Sequence, residues 1–125
     1  MKRIIKIENA PQAIGPYSQA VEINDTLYIS GQVPIDPKTM KVVDGGIREQ
    51  TLQVMNNIGA VLEAAGYTFN NVIKSTCMLS DMQHFKEMNE VYGQFYQEDP
   101  PARAAFAVKE LPLGVLIEIE TIAAK

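Results

Sequence analysis

The spacing of hydrophobic and polar residues changes along the chain, and each spacing predicts a different element. Residues 3–7, 17–23 and 26–30 are rich in branched aliphatic residues and tyrosine, a composition typical of strands. Only Asn24 and Asp25 separate the second run from the third. Because asparagine and aspartate tolerate a positive φ, we predict a tight hairpin at this point.

The middle of the chain has the spacing of helices. Apolar residues recur at steps of three and four over residues 47–65, which predicts an amphipathic helix that ends at Gly66 in a left-handed cap. Residues 71–79 predict a strand, and Ser80 and Gln83 predict a capping box before a second helix. The expected buried face of this helix contains four large residues: Phe85, Met88, Tyr92 and Phe95.

Two strands complete the pattern, over about 103–108 and 115–123, with a turn around Pro112 and Gly114 between them. The segment 34–46 contains prolines and glycines and indicates a loop. Strands, helix, strand, helix and strands therefore follow one another along the chain. This order favours an α+β fold with a mixed sheet and both helices on one face.

The predicted elements leave one sheet face without cover. At 125 residues the chain fits a single domain, residues 1–125, and no segment remains to pack on the second face. A chain of this size buries a core without disulfides or metal. We therefore expect another subunit to cover the open face.

Composition and charge exclude several classes of protein. A chain with 46% hydrophobic and 21% charged residues is typical of a globular protein. The single cysteine, Cys77, excludes an internal disulfide, and no segment has the length or character of a signal peptide or a membrane span, so we expect a cytoplasmic protein without a membrane partner. A net charge of −4 disfavours nucleic acid as a partner, because such binding depends on lysine and arginine.

No motif for a metal, nucleotide or thiol nucleophile stands out. The chain has one histidine, His84, and one cysteine, whereas zinc takes three or four such ligands. No phosphate loop or dinucleotide fingerprint is present. A catalytic pair of Cys77 and His84 is conceivable, but we interpret them as a buried thiol in a strand and an exposed imidazole on a helix.

Arg103 is the first candidate for ligand binding. Alternation along its strand places Arg103, Ala105 and Ala107 on one face. Small neighbours leave space beside the guanidinium, whose planar fork binds a carboxylate through two hydrogen bonds. The pattern is also compatible with a surface arginine at the end of a strand, and it does not decide between the two.

Glu118 and Glu120 are candidates for proton transfer. They alternate with isoleucines in the last strand and share their face with Leu116 and Ile122. Partial removal from water raises the pKa of a carboxyl group and suits it to general acid–base catalysis. An ordinary solvated strand face gives the same alternation, so this alternative stays open.

Four segments occur in an order and at a spacing that match a known family. They are Ala13–Ala20, Ile29–Pro34, Asn89–Tyr92, and Pro101–Arg103 followed by Ile117–Glu120. Together they resemble the Rid (YjgF) family of imine deaminases over essentially the whole chain. The resemblance implies a chorismate-mutase-like α+β fold and a homotrimer, in which the three sheets form a central barrel and three clefts lie between subunits.

The resemblance also implies roles for individual residues. The position of Arg103 binds the substrate carboxylate, and that of Glu118 places or activates a water molecule. The residues that line or support the cleft are Tyr17, Ser30, Gly31 and Asn89.

Ala105 is a departure from the family pattern. Many members have cysteine at this position, where the role in substrate binding rests on the main chain, which alanine retains. Ala104 likewise replaces a frequent serine. The substitutions leave hydrolysis possible but put the substrate preference in question.

The implied activity is hydrolysis of 2-iminopropanoate and 2-iminobutanoate to 2-oxo acids and ammonium. It needs no cofactor and no metal, and its substrates arise when pyridoxal-phosphate-dependent dehydratases act on serine and threonine. Two alternatives stay open: a regulatory module that binds 2-oxo or 2-imino acids, and a ribonuclease or translation inhibitor. The acidic balance of the chain disfavours the last of these.

Overall fold

A six-stranded mixed sheet with two helices on one of its faces forms the fold in the computed structural model, which describes residues 1–125. The helices are α1 (Ile47–Ala65) and α2 (Phe85–Gly93). The strands are β1 (Arg3–Ile5), β2 (Ala20–Ile23), β3 (Thr26–Gln32), β4 (Ile35–Asp36), β5 (Lys41–Val42), β6 (Val72–Leu79), β7 (Ala102–Ala107) and β8 (Ile117–Ala124).

The order of strands in the large sheet is β1-β2-β3-β8-β6-β7. Only β6 and β7 run parallel, because α2 lies between them in the chain and returns the backbone to the same end of the sheet. The other neighbours are antiparallel. The predicted α+β class, with a mixed sheet and two helices on one face, is confirmed.

The hairpin between β2 and β3 forms as predicted. Asn24 and Asp25 have φ values of 50° and 58°, which is the left-handed pair that a two-residue turn of type I′ requires. The backbone carbonyl of Asp25 also accepts a hydrogen bond from the amide of Lys125, at 3.0 Å. The turn therefore fixes both the hairpin and the end of the chain.

Helix α1 has the predicted bounds, and both of its ends are held by identifiable groups. The Glu49 carboxylate accepts a hydrogen bond from the Gly46 amide at 2.8 Å, and Gly66 ends the helix with φ 87°. No basic residue lies in its last turn. Instead, the side chains of Arg3 and Lys125 donate to the last carbonyl oxygens, so distant positive charges complement the helix dipole.

Four local predictions were wrong. Strand β2 begins at Ala20, three residues after the start of the predicted run 17–23, and α2 ends at Gly93, before Phe95 of its expected buried face.

Segment 34–46 is not loop throughout, because β4 and β5 form a short antiparallel hairpin within it. Ser80 and Gln83 form no capping box. Instead, the Asp81 carboxylate accepts from the Gln83 amide at 2.8 Å and starts a 3₁₀ turn, Met82–His84, before α2 begins.

The two faces of the large sheet differ sharply in burial. The face under the helices is closed by fully buried apolar side chains, among them Leu27, Ile117 and Ile119. On the opposite face, Tyr28 and Phe106 remain 48% and 45% exposed. The expectation of a sheet face without cover from its own chain is thus confirmed. Neither helix combines the length and the apolar character that crossing a bilayer demands.

Candidate active site

Glu118 lies on the open face of the sheet, where the alternation in β8 predicted it. Ile117 and Ile119 on either side of it are fully buried under the helices. Glu118 itself is half-buried, whereas Glu120 is exposed. The two carboxylates therefore share a face and a cleft but differ in burial.

The environment of Glu118 raises its pKa. The larger cause is burial, which penalises the charged form, and the smaller is the negative charge of Glu120 on the same face. Glu118 accordingly keeps its proton to a higher pH than an ordinary glutamate. This is the direction expected of a group that exchanges protons near neutral pH.

A β-bulge in β3 places Gly31 against Glu118. The pairing of β3 with β8 shifts by one residue between Ile29 and Gln32, so Ser30 and Gly31 together face Glu120. A methyl group at Gly31 would lie 2.9 Å from Cδ of Glu118 and closer still to Oε2. Glycine is thus the residue that lets the carboxylate lie directly over the backbone of the bulge.

Ser30 connects this bulge to the segment that contains Tyr17. The Ser30 hydroxyl donates to the carbonyl of Ser18, and its amide donates to the carbonyl of Gln19 at 3.0 Å. The buried side chain of Gln19 in turn donates to the carbonyls of Ile7, Ala10 and Pro11. These bonds hold Tyr17 at the rim of the same cleft, with its side chain half exposed.

The cleft over Glu118 has a volume of about 670 Å³. Its polar part includes Ser30, Gly31, Gln32, Glu118 and Glu120, and its apolar wall is formed by Ile14, Tyr17, Val33, Ile35, Met40 and Leu113. We call the group of Tyr17, Ser30, Gly31 and Glu118 the Glu118 half-site. The sequence did not single out Met40 or Leu113, because a lone apolar residue in a turn has no periodic pattern.

Arg103 lies in a cage of α2 side chains under the opposite face of the sheet. Its guanidinium carbon is 5.4 Å from the ring centre of Phe85 and 5.0 Å from that of Tyr92. Its Nη1 donates to Oδ1 of Asn89 at 2.7 Å. Phe85, Asn89 and Tyr92 are spaced by four and three residues and so share one face of the helix. We call these four residues the Arg103 half-site.

The cage orients the guanidinium without using all of its donors. Only Nη1 is hydrogen-bonded within the chain, which leaves the remaining N–H groups free for a ligand. The stacked rings fix its plane. An open cavity of about 500 Å³ adjoins it and is lined by Asn89, Tyr92, Gly93, Tyr96, Pro100, Pro101 and Arg103.

Ala105 follows Arg103 on the helix side of β7, as alternation predicted, and packs against the core opposite Cys77. The interpretation of Cys77 as a buried thiol is confirmed, since burial raises its pKa to about 11. His84, expected to be exposed, is half-buried at the end of the 3₁₀ turn. No three histidine, cysteine, aspartate or glutamate side chains converge as ligands for a metal ion.

The two half-sites of one chain face away from each other. Arg103 pairs with Ser75, which pairs with Thr121, and both of these partners are buried under the helices. Glu118 pairs with Met78 on the open face. A small molecule held by Arg103 of one chain is therefore separated by the thickness of the sheet from Glu118 of the same chain.

The fold and the two half-sites define an α+β protein whose sheet presents an arginine on one face and a carboxylate on the other. Residues 7–125 match the family model described as Endoribonuclease L-PSP. The chain therefore belongs to this family, the Rid family.

Relatives and a solved structure agree with this assignment over nearly the full chain. A RutC family protein of Pyrococcus horikoshii is 57% identical and matches 100% of this chain and 99% of its own length. The 2-iminobutanoate/2-iminopropanoate deaminase of Mus musculus is 49% identical over 98% of this chain and 91% of its own. The structure of E. coli TdcF with bound serine superimposes with a TM-score of 0.94 at 36% identity, covering 98% of each chain.

Proposed function

We propose that the protein is an imine deaminase that hydrolyses 2-imino acids to 2-oxo acids and ammonium. The observation behind the proposal is Glu118, a half-buried carboxyl of raised pKa that lies against the Gly31 backbone in an open cleft. The similarity to a mouse protein named for this reaction supports it. The relative from Pyrococcus horikoshii, by contrast, is named only for its family.

The reaction needs two protein groups in distinct roles. Arg103 holds the carboxylate of the 2-imino acid through its free guanidinium donors, as its cage suits it to do. The bound serine in the related TdcF structure is an amino acid with such a carboxylate. Asn89 positions the guanidinium, and Tyr17, Ser30, Gly31 and the main chain at Ala105 line the substrate.

Ionised Glu118 manages the proton. It accepts a proton from a water molecule while the water oxygen bonds to the carbon of the C=N group, and the imine nitrogen takes up a proton from solvent as the double bond opens. Protonated Glu118 then gives its proton to the amino nitrogen of the carbinolamine, the C–N bond breaks, and the hydroxyl proton passes to Glu118 as the C=O bond of the 2-oxo acid forms. The released ammonia takes that proton, leaves as ammonium and restores the ionised carboxylate. One imine, one water and one proton thus give one 2-oxo acid and one ammonium ion, with orientation supplying much of the rate.

A homotrimer joins the two half-sites in this proposal. Because Arg103 and Glu118 lie on opposite faces of one sheet, a complete site needs Arg103 from one subunit and Glu118 from its neighbour. The uncovered sheet face, with Tyr28 and Phe106 half exposed, is the surface on which subunits would pack. Sedimentation equilibrium at micromolar concentration should give three chains, and an active monomer would contradict the shared site.

A coupled assay tests the activity. A pyridoxal-phosphate-dependent threonine dehydratase generates 2-iminobutanoate, and semicarbazide traps whatever imine escapes hydrolysis. The protein should lower semicarbazone formation in proportion to its concentration. An unchanged rate in the presence of a correctly folded protein would overturn the proposal and would favour a binding role in the same cleft.

Cleavage of RNA is the second candidate, because the matching family model is described as an endoribonuclease. A nuclease that binds phosphates loses affinity steeply as salt rises, whereas a deaminase of small molecules does not. Activity on RNA that survives purification and falls with salt would support this candidate.

A further inference from the structure

Two apolar residues adopt a backbone conformation that is unfavourable for residues with long side chains. Five non-glycine residues have a positive φ, and three of these are the asparagine or aspartate residues that tolerate it: Asn24, Asp25 and Asp99. The other two are Met40 and Leu113, each with φ 58°. Long apolar side chains rarely occupy this region, and a residue held there costs free energy that the rest of the structure must offset.

Both residues line the Glu118 half-site. Met40 lies in the turn between β4 and β5, where its amide donates to the carbonyl of Asp36 at 2.8 Å. Leu113 lies in a 3₁₀ turn before β8, between Pro112 and Gly114, and its side chain is 72% exposed. Two separate connections of the chain thus place a strained apolar residue over the same cleft.

Folding does not explain these two side chains. Leu113 is largely exposed and gains little from the core, and asparagine or glycine would adopt its backbone conformation at lower cost. Met40 is only half-buried and belongs to no part of the main core. Strained residues of this kind cluster where a ligand is bound, and here they form part of the apolar wall that faces Glu118.

We propose that Met40 and Leu113 are specificity-determining residues that contact the side chain of the 2-imino acid. The inference rests on the proposed deaminase function and extends it to the choice of substrate. The wall that each chain contributes to the cleft contains six apolar side chains, which present more apolar surface than a methyl or ethyl group can contact. The two residues therefore favour longer apolar side chains over methyl and over charged ones.

The test compares imino acids of different length under one assay. An amino-acid oxidase converts alanine, leucine or methionine to the 2-imino acid at the expense of oxygen, and catalase removes the hydrogen peroxide. Competition between the protein and semicarbazide for the same imine gives relative kcat/KM values. The wild-type protein should favour the imino acids from leucine and methionine over that from alanine.

Met40→Asn and Leu113→Asn remove the apolar contact and suit the left-handed backbone. Each should lower the ratio of kcat/KM for the long substrate to that for the short one by about tenfold, the scale of one or two methylene groups in an apolar pocket. Leu113→Gly should lower it equally. Asp25→Gly, at a left-handed position remote from the cleft, is the matched control and should keep the wild-type ratio.

The outcomes separate this inference from the proposed function. If the wild-type protein hydrolyses no imine, the deaminase function itself fails. If it hydrolyses all of them and the folded Asn and Gly variants keep its ratio, only the specificity assignment is overturned. Variants that keep the ratio but sediment as smaller species would assign Met40 and Leu113 to a subunit contact instead.

Discussion

At the scale of single residues, the strongest feature of the molecule is the fixed plane of the Arg103 guanidinium. Rings of Phe85 and Tyr92 lie 5.4 and 5.0 Å from it, and Asn89 accepts one of its hydrogen bonds. A lysine keeps the charge but offers neither the planar fork nor the stacking surface. The cage therefore selects for arginine specifically.

Arg103→Lys should lose most of the activity. Breaking a charge pair that is buried in the bound complex costs about 2–5 kcal/mol, so kcat/KM should fall by about 30-fold or more. Arg48→Lys is the matched control, because Arg48 forms exposed ion pairs with Glu87 and Glu90 and lines neither the cleft over Glu118 nor the cavity beside Arg103. Near-normal kinetics in a folded Arg103→Lys protein would remove Arg103 from the substrate-binding role.

Substitutions at Glu118 and Glu120 separate the effect of proton transfer from the effect of losing a negative charge on the same face. Glu118→Gln keeps the size and hydrogen-bonding capacity of the side chain but cannot accept a proton, so kcat should fall by about 100-fold. Affinity for the 2-oxo acid product should change little. Glu120→Gln, on the exposed neighbour, should do much less. If Glu120→Gln lost more activity than Glu118→Gln, proton transfer would be assigned to Glu120. Full activity in both variants would assign it to neither residue.

The raised pKa of Glu118 predicts opposite effects of pH on activity and stability. Because ionised Glu118 is the proposed base, activity should fall as pH drops through this raised pKa, which gives the pH–rate profile an acidic limb. Glu120→Gln removes a repulsive charge and so should lower the pKa of Glu118 and move the acidic limb to lower pH. A pH–rate profile of both proteins measures the shift. An acidic limb at the same pH in both proteins would mean that a group other than Glu118 sets the pH dependence of activity.

The same shift means that ionised Glu118 destabilises the folded state. Because the pKa of Glu118 is higher in the folded than in the unfolded state, its stabilising contribution is complete below the unfolded pKa and is lost as pH rises through the folded one. Glu118→Gln should therefore melt above the wild type at neutral pH. The difference should disappear in acid.

At the scale of secondary-structure elements, the bulge in β3 positions the backbone of the Glu118 half-site. It shifts the register with β8 by one residue and leaves the Gly31 backbone beneath the Glu118 carboxylate. No side chain larger than hydrogen fits between them. In the proposed site, the bulge thus determines where the substrate meets the carboxylate.

Gly31→Ala should preserve the fold and impair the reaction. The added methyl group meets the flexible end of the Glu118 side chain, which moves aside and loses its position by about 1 Å; such a displacement lowers rates by about 100-fold. Gly46→Ala is the matched control, since a methyl group there would meet only Oε1 of Glu49, at 3.9 Å, and Gly46 lines neither half-site. If Gly31→Ala had the activity of Gly46→Ala, the contact with Glu118 would not matter to catalysis.

The elements that could be predicted from the sequence are those that a short, continuous segment specifies by itself. Helix α1 and the turn at Asn24 and Asp25 were predicted with their bounds, because a long apolar stripe and two turn-forming residues are properties of short segments. Strands of two residues, such as β4, have no period to detect. The start of α2 was misplaced because Asp81 caps a separate 3₁₀ turn, Met82–His84, that precedes the helix.

The relation between the two half-sites required the pairing of distant strands. Alternation assigned Arg103 and Glu118 each to one side of its own strand. It could not relate those sides, because β6 lies between β7 and β8, parallel to one and antiparallel to the other. The bulge that positions Gly31 is likewise a feature of pairing between strands. These contacts between distant segments leave no periodic pattern in the sequence.

At the scale of the whole molecule, the positions of Arg103 and Glu118 on opposite faces of one sheet make assembly part of the proposed mechanism. In the proposed trimer each subunit would offer its Arg103 half-site to one neighbour and its Glu118 half-site to the other. A subunit that lacks one half-site would still complete a cleft with the half-site it retains, whereas an isolated subunit would complete none.

This arrangement predicts that two inactive variants restore activity together. Arg103→Ala and Glu118→Gln proteins should each be nearly inactive alone. When they are unfolded, mixed in equal amounts and refolded, random assembly around a ring gives about one quarter of the clefts both intact residues, so about one quarter of wild-type activity should return. The assay is the semicarbazide competition described above, with separately refolded variants, mixed only afterwards, as the control. If the refolded mixture stays as inactive as its components although native mass spectrometry shows mixed trimers, each cleft takes Arg103 and Glu118 from one chain, and the shared site is wrong.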